Sequence, residues 1–508
     1  MAKRETILIL DFGGQYKELI ARRVRECGVY SEIRSCAMTA EEIRAMAPAG
    51  IIFTGGPDSV YRPGSPACEP GVLELGIPVL GICYGMQLLC HLSGGVVGPC
   101  DRSEYGVVAA ELDTSLPLFH GLDVPTEVLM SHTDRVETLP EGFLAAGSTE
   151  LCPICAFAAP EKGLYGVQFH PEVSNTRQGT ALLHNFLFAI CHCQGGYTME
   201  SFLETSLREI RETLGDARVL LGLSGGVDSS VCAALLARAV PGQLTCIYVD
   251  HGLMRQGETE EIRQVFSRRD LDFRCVDASG RFLSALRGVS DPEQKRKIIG
   301  REFALVFEEE ARKLGPIGYL AQGTIYPDVV ESGTGSAVIK SHHNVGGLPK
   351  ELGFAGVVEP LRYLFKDEVR RLGLLLGLPT SLVCRQPVPG PGLAVRVLGE
   401  ITEEKLALLR AADAIVREEI GGSGCRADQY FAVLTGVKSV GVMGDGRTYD
   451  YTVAVRAVET SDFMTCVFAP LPWEVLGRIS SRITNEVKGI NRVVYDITSK
   501  PLATIEWE

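Results

Sequence analysis

No apolar run in the 508-residue sequence approaches the ~20 residues that a membrane-spanning helix needs. The first, Ile7–Leu10, is cut off at once by Asp11, so neither a membrane span nor a secretory segment is expected. Basic charge is in deficit: 50 Lys and Arg stand against 63 Asp and Glu, a formal charge of −13. That balance argues against a general nucleic-acid or anionic-membrane binder. Internal repeats and low-complexity tracts are missing, and 45% hydrophobic against 22% charged residues excludes wholesale disorder. The sixteen cysteines lack the repeated C-x-x-C spacing of a zinc site, and Cys152-Pro-Ile-Cys155 with Cys191-His-Cys193 are set aside as one. Thiols spread this evenly fit a reduced, cytoplasmic protein.

What is present divides into three parts: residues 1–195, 196–388 and 389–508. In the first, Ile7–Leu10, Ile51–Thr54 and Val79–Ile82 read as strands, with helices at Tyr16–Glu26 and Met86–Leu92. A polar hinge from Gln194 precedes a helix at Met199–Leu214. A second βα series follows, with strands at Val219–Leu223, Leu244–Val249 and Ile317–Ala321, and ends near the Pro/Gly-rich stretch Pro387–Gly392. The remainder reads as α+β: helices Glu403–Glu419 and Trp473–Lys488, and strands Thr448–Val458 and Arg492–Ile497. The expected fold class is α/β, two open, mostly parallel sheet domains followed by a smaller α+β domain.

Gly81-Ile-Cys83-Tyr-Gly85 joins a buried strand to a helix as G-x-C-x-G, the cysteine form of a nucleophile elbow. The helix N-terminus behind Cys83 favours a thiolate. Backbone N–H groups of Tyr84 and Gly56 are placed to receive an oxyanion. His170-Pro-Glu172 ends a strand, and residues i and i+2 of an extended chain share a side, so Glu172 can orient His170 to take the Cys83 proton. Elbow, Gly55-Gly56-Pro57 and His-Pro-Glu together resemble a class I glutamine amidotransferase. The resemblance implies glutamine hydrolysis through a thioester, with Cys83 as nucleophile, His170 as base and acid, and Glu172 as orienting carboxylate. Gly14 stands where that family often has Ser.

Ser224-Gly225-Gly226-Val227-Asp228-Ser229-Ser230 lies between a buried strand and a helix, a setting in which backbone amides and hydroxyls cradle an oxyanion. No lysine follows as in the GxxxxGK[ST] loop. The motif resembles the PP-loop of N-type ATP pyrophosphatases, which implies ATP cleavage at the α-phosphate. Asp228 suits Mg²⁺. Asp250 lies at the next strand's end, where ligands sit in open α/β sheets; its role stays open.

Asp291–Gly300, Ala321–Ser332, Ile339–Asn344, Glu359–Lys366, Pro389–Arg396 and Lys500–Glu508 resemble the glutamine-hydrolysing GMP synthase family. That resemblance implies a homodimeric enzyme that adenylates XMP at its C2 oxygen and aminates it to GMP, with Arg396, Lys500 and Glu506 holding XMP and Lys340 and His342 in a lid. Val388 and Leu502 replace a common Phe and Pro. A glutamine-dependent NAD synthetase is the nearest alternative, but it normally carries a Glu-Lys-Cys glutaminase. A tRNA-thiolating enzyme should show a basic surface, and a nucleotide-sensing regulator needs a broken triad.

Overall fold

The computed structural model describes residues 5–331, 354–443, 446–460 and 465–508. The chain forms two compact units, Met1–Phe202 and Leu203–Glu508.

Four consecutive apolar side chains, Ile7 to Leu10, can all be buried only in a strand covered on both faces, and all four are fully buried in β1 (Thr6–Asp11). The first unit continues with β2 (Tyr30–Ser35), β3 (Gly50–Phe53), β4 (Val79–Ile82), β5 (Val96–Leu112), β6 (Thr126–Thr138), β7 (Leu144–Ser148), β8 (Ala156–Ala159) and β9 (Leu164–Val167). They form one nine-stranded sheet in the order β2-β1-β3-β4-β9-β8-β7-β5-β6. The half from β2 to β9 is parallel, whereas β8, β7, β5 and β6 join antiparallel. The parallel strands match the sequence expectation closely. The antiparallel extension was not expected, because only alternate residues of β6 are buried and so it forms no continuous apolar run.

In the second unit β10 (Val219–Leu223), β11 (Leu244–Asp250), β12 (Asp272–Asp277), β13 (Tyr319–Ala321) and β14 (Gly356–Val358) build a wholly parallel sheet in the order β12-β11-β10-β13-β14. A second sheet holds β15 (Gln429–Met443), β16 (Gly446–Glu459), β17 (Val467–Phe468) and β18 (Ile490–Asp496). Here β16 runs antiparallel to β15 and β17 and parallel to β18. The helices Glu403–Gly421 and Trp473–Glu486 belong to this part. One apolar cluster joins Leu220, Ile247 and Phe307 with Val453, Ile479 and Ile483, so residues 196–388 and 389–508 share a core. Among the described residues no helix is long and apolar enough to cross a membrane.

Phe307 is fully buried in this shared core, beneath Gly222 of β10. Phe307→Ala is expected to cost roughly 3–5 kcal/mol in a urea titration followed by circular dichroism. A loss below about 1 kcal/mol, the scale of a surface change, would contradict that placement.

Candidate active site

Strand β4 turns directly into the helix Tyr84–Leu92, and Cys83 makes the turn with φ +52° and ψ −109°. Its N–H donates to Val167 O of β9 at 2.8 Å, so the turn is pinned to the sheet. The flanking glycines have steric reasons. A Cβ on Gly81 would lie 2.5 Å from Gly85 O, and one on Gly85 would lie 2.5 Å from Phe53 O. A Cβ on Gly14 would lie 2.4 Å from Gly55 O, so a side chain at the unexpected Gly14 would force these two loops apart. Gly56 lies after β3, where a Cβ would lie 2.8 Å from Phe12 O and 3.0 Å from the Tyr84 ring. Tyr84 heads the helix, where N–H groups have no intrahelical partner.

His170 and Glu172 are both buried, and His170 Nδ1 lies 2.8 Å from Glu172 Oε1. This leaves Nε2 for the thiol proton. Burial alone pushes the His170 pKa down, but the Glu172 carboxylate and the Cys83 sulfur outweigh it, and the ring ends well above its ordinary value. Tyr16 packs edge-on against the ring at 5.2 Å, and Thr176 Oγ1 donates to His170 O at 2.6 Å. Gln168 Nε2 donates to Cys83 Sγ at 3.6 Å, and Gln87 Nε2 donates to Gln168 Oε1 at 3.1 Å and to Asp134 O at 2.8 Å. Gln168 lies two residues before His170, in the bend that follows β9. Its nearness in sequence to His170 is the signal by which it was findable.

Cys152 does not gather with Cys191 and Cys193 but with Glu104 and His132, their ligand-type atoms within 4.8 Å of one another. These polar groups already serve one another. Glu104 accepts from Thr149 and faces His132 Nε2 at 3.3 Å, while His132 Nδ1 donates to Asp134 O.

In the second unit the loop Ser224–Gly226 leaves β10 and enters the helix Val227–Ala239. Gly225 has φ +78°, which glycine alone takes without strain. Ser224 Oγ lies 3.0 Å from Ser229 Oγ and accepts from Gly226 N at 3.3 Å. Ser230 Oγ is buried with no hydrogen-bond partner among the described residues. Arg385 Nη1 donates to Gly225 O at 2.8 Å, and Arg385 pairs with Glu261 at 2.6 Å. Asp228 is held by Lys366 Nζ at 2.6 and 2.7 Å. Asp250 lines a cleft of about 480 Å³ with Gly252, Met254, Gln256, Thr259 and Arg410.

Arg396 is fully buried and makes a two-pronged pair with Glu506, Nε to Oε2 at 3.0 Å and Nη2 to Oε1 at 2.7 Å. Its guanidinium carbon lies 3.9 Å from the centre of the Phe431 ring. Gln429 Nε2 also donates to Glu506 Oε1, at 3.1 Å. Arg396 Nη1 has no hydrogen-bond partner among the described residues. Burial opposes the Arg396 charge, but Glu506 more than restores it and its pKa is raised.

The class-I glutamine amidotransferase family matches residues 8–190, the NAD synthase family residues 199–295, and the C-terminal domain of GMP synthase residues 418–507. The chain is 56% identical to the glutamine-hydrolysing GMP synthase of Clostridium botulinum, with all of both chains covered. It is 58% identical to that of Acetivibrio thermocellus and 57% identical to that of Bacillus velezensis, with 99% of each chain covered. The chain belongs to the GMP synthase family.

Of the residues expected in a GMP synthase site, the structure brings Cys83, His170 and Glu172 together, with Gly56 and Tyr84 beside them. It joins Arg396 to Glu506, an arrangement the sequence reading did not anticipate. Lys500 lies on the same terminal segment, its N–H and C=O bonded to Cys466. Lys340 and His342 lie outside the described residues. Gln168, Lys366 and Arg385 were missed. The latter two act through partners 138 and 160 positions away, which no local pattern reveals.

Glu172→Gln removes the carboxylate that raises His170. In isotope-labelled protein the imidazole NMR titration should move down toward the ordinary histidine value of about 6.5. A raised histidine pKa stabilises the fold below the unfolded value and loses that effect as pH climbs through the folded one. The stability gap between wild type and Glu172→Gln, measured in urea, should therefore narrow as pH rises. An unchanged titration, or a gap that widens, would contradict this.

Proposed function

We propose that the chain makes GMP from XMP, ATP and glutamine, releasing AMP, pyrophosphate and glutamate. The observation that carries this reading is one chain holding both a Cys-His-Glu elbow and a Ser-Gly-Gly-Val-Asp-Ser-Ser loop, with full-length relatives named for that reaction.

At the first site the Cys83 sulfur attacks the glutamine carboxamide carbon while His170 holds the proton. The N–H groups of Tyr84 and Gly56 receive the oxyanion. His170 then protonates the departing ammonia, and a water that it deprotonates releases glutamate from the thioester. Glu172 holds the ring in the tautomer that these transfers need. Gln168, whose Nε2 donates to the sulfur, fixes its direction.

At the second site the C2 oxygen of XMP attacks the α-phosphorus of ATP and pyrophosphate leaves. Ammonia then displaces AMP from C2. The open glycine turn and the Ser224, Ser229 and Ser230 hydroxyls suit the departing pyrophosphate, and Ser230 Oγ has no hydrogen-bond partner among the described residues. Asp228 and these hydroxyls are the oxygen donors that Mg²⁺ prefers, and the ion would neutralise phosphate charge there. The Arg396–Glu506 pair serves XMP, Glu506 offering the purine N–H edge a carboxylate that the buried Arg396 orients, and Lys500 offers a phosphate its ammonium. The residue spans 1–195, 196–388 and 389–508 serve as glutaminase, ATP pyrophosphatase, and XMP-contacting and dimer-forming parts. Val440 and Val442 of β15 and Tyr449 of β16 are exposed apolar side chains suited to a homodimer contact.

The test supplies ATP, Mg²⁺ and ammonium with XMP, or with the acid precursor of NAD in its place. GMP and AMP in equal amounts from XMP alone are expected. Turnover of the NAD precursor instead would overturn the reading in favour of an NAD synthetase.

A further inference from the structure

Lys295 carries an ammonium with no exposure to solvent, on the helix Pro292–Arg312. An ammonium has three N–H donors, and all three are used. One goes to Ala394 O at 3.3 Å, one to Val397 O at 2.8 Å, and one to Glu508 Oε2 at 2.5 Å. The two carbonyls bracket Arg396 on the short turn Gly392–Arg396. The carboxylate belongs to the residue two beyond Glu506. Two neighbours reinforce the grip: Arg296 Nη2 donates to Glu508 O at 2.6 Å, and Gly399 N donates to Glu508 Oε1 at 3.4 Å.

The partners of Arg396 and Glu506 therefore reach beyond each other. One buried cation holds the turn that presents the guanidinium and the segment that presents the carboxylate. Burial depresses the Lys295 pKa, and the Glu508 carboxylate opposes that, so the ammonium needs Glu508 as much as it holds it. Asp291 adds a favourable charge and Lys405 an unfavourable one. Lys295 is 99 positions from Ala394 and 213 from Glu508, so the junction exists only in the folded unit.

We propose that Lys295 is a positioning residue for the nucleotide substrate: through Glu508 and the Ala394–Val397 turn, it sets the register between Arg396 and Glu506. The inference rests on the reading of those two residues as XMP contacts. Lys295 does not itself touch substrate. Its loss should leave the Ser224–Ser230 loop intact and loosen the site on the XMP side alone.

The experiment uses full-length Lys295→Met with ATP, Mg²⁺ and ammonium. KM for XMP should rise roughly ten- to hundredfold, the scale of one lost charge-assisted hydrogen bond. KM for ATP should stay within about twofold, a split that general damage would not produce. In parallel, carboxypeptidase should remove Glu508 and Trp507 from Lys295→Met faster than from wild type. Glu508→Gln, which changes one charge at the end of the segment, should give both effects in smaller measure and stands in if Lys295→Met does not fold. An unchanged KM for XMP, or equal rises for XMP and ATP, would overturn the proposal. The carboxypeptidase arm needs no substrate. Tail release without XMP turnover by wild type would sink the GMP synthase reading and leave the Lys295 staple standing.

Discussion

Cys83 holds φ at +52°, a conformation that costs a residue with a Cβ roughly 1–3 kcal/mol and persists only where the surroundings over-determine it. Here the surroundings do. The β9 carbonyl of Val167 fixes the Cys83 N–H, and Gly81 and Gly85 remove the side chains that would collide with Gly85 O and Phe53 O. The turn aims the sulfur out of the sheet at the head of a helix, beside the segment that delivers His170. The rest of the first site follows from that direction. Gln168 donates to the sulfur, Ser131 O accepts from it, and Glu172 closes the far side of the ring.

The second unit repeats the device with a different end. Strand β10 also leads into a helix, but through the loop Ser224–Gly226, where glycines open the turn instead of pinching it and serines line it where the first unit has a thiol. Arg396 and Lys295 are fully buried, each held by a carboxylate from the last residues of the chain. Removing one partner from such a pair leaves an uncompensated buried charge at a cost of about 3–5 kcal/mol. Exposed pairs such as Arg482–Glu486 are screened by water and add little. The terminal segment is thus fastened where its side chains are needed.

The legible parts of the sequence were the local ones. Four buried apolar residues in a row, G-x-C-x-G, His-Pro-Glu and the serine-glycine loop all state their geometry within ten residues, and the parallel strands and the triad followed from them. Three kinds of feature escaped. The β5–β6 pairing escaped because its residues alternate and β5 carries register shifts against β6. Lys366, Arg385 and Lys295 escaped because a lysine or arginine looks alike in sequence whether it is solvated or clamps a residue more than a hundred positions away. The Arg396–Glu506 pair was half legible: both residues were expected at one site, but as separate contacts and not as each other's partners.

The account's central claim is that one chain divides its labour, with Cys83 serving only to supply nitrogen. The most direct measurement compares GMP formation by wild type and Cys83→Ala, each with glutamine and then with ammonium. Cys83→Ala should be inactive on glutamine and retain the wild-type rate on ammonium. Activity on glutamine without the thiol, or equal loss on both nitrogen sources, would contradict the account.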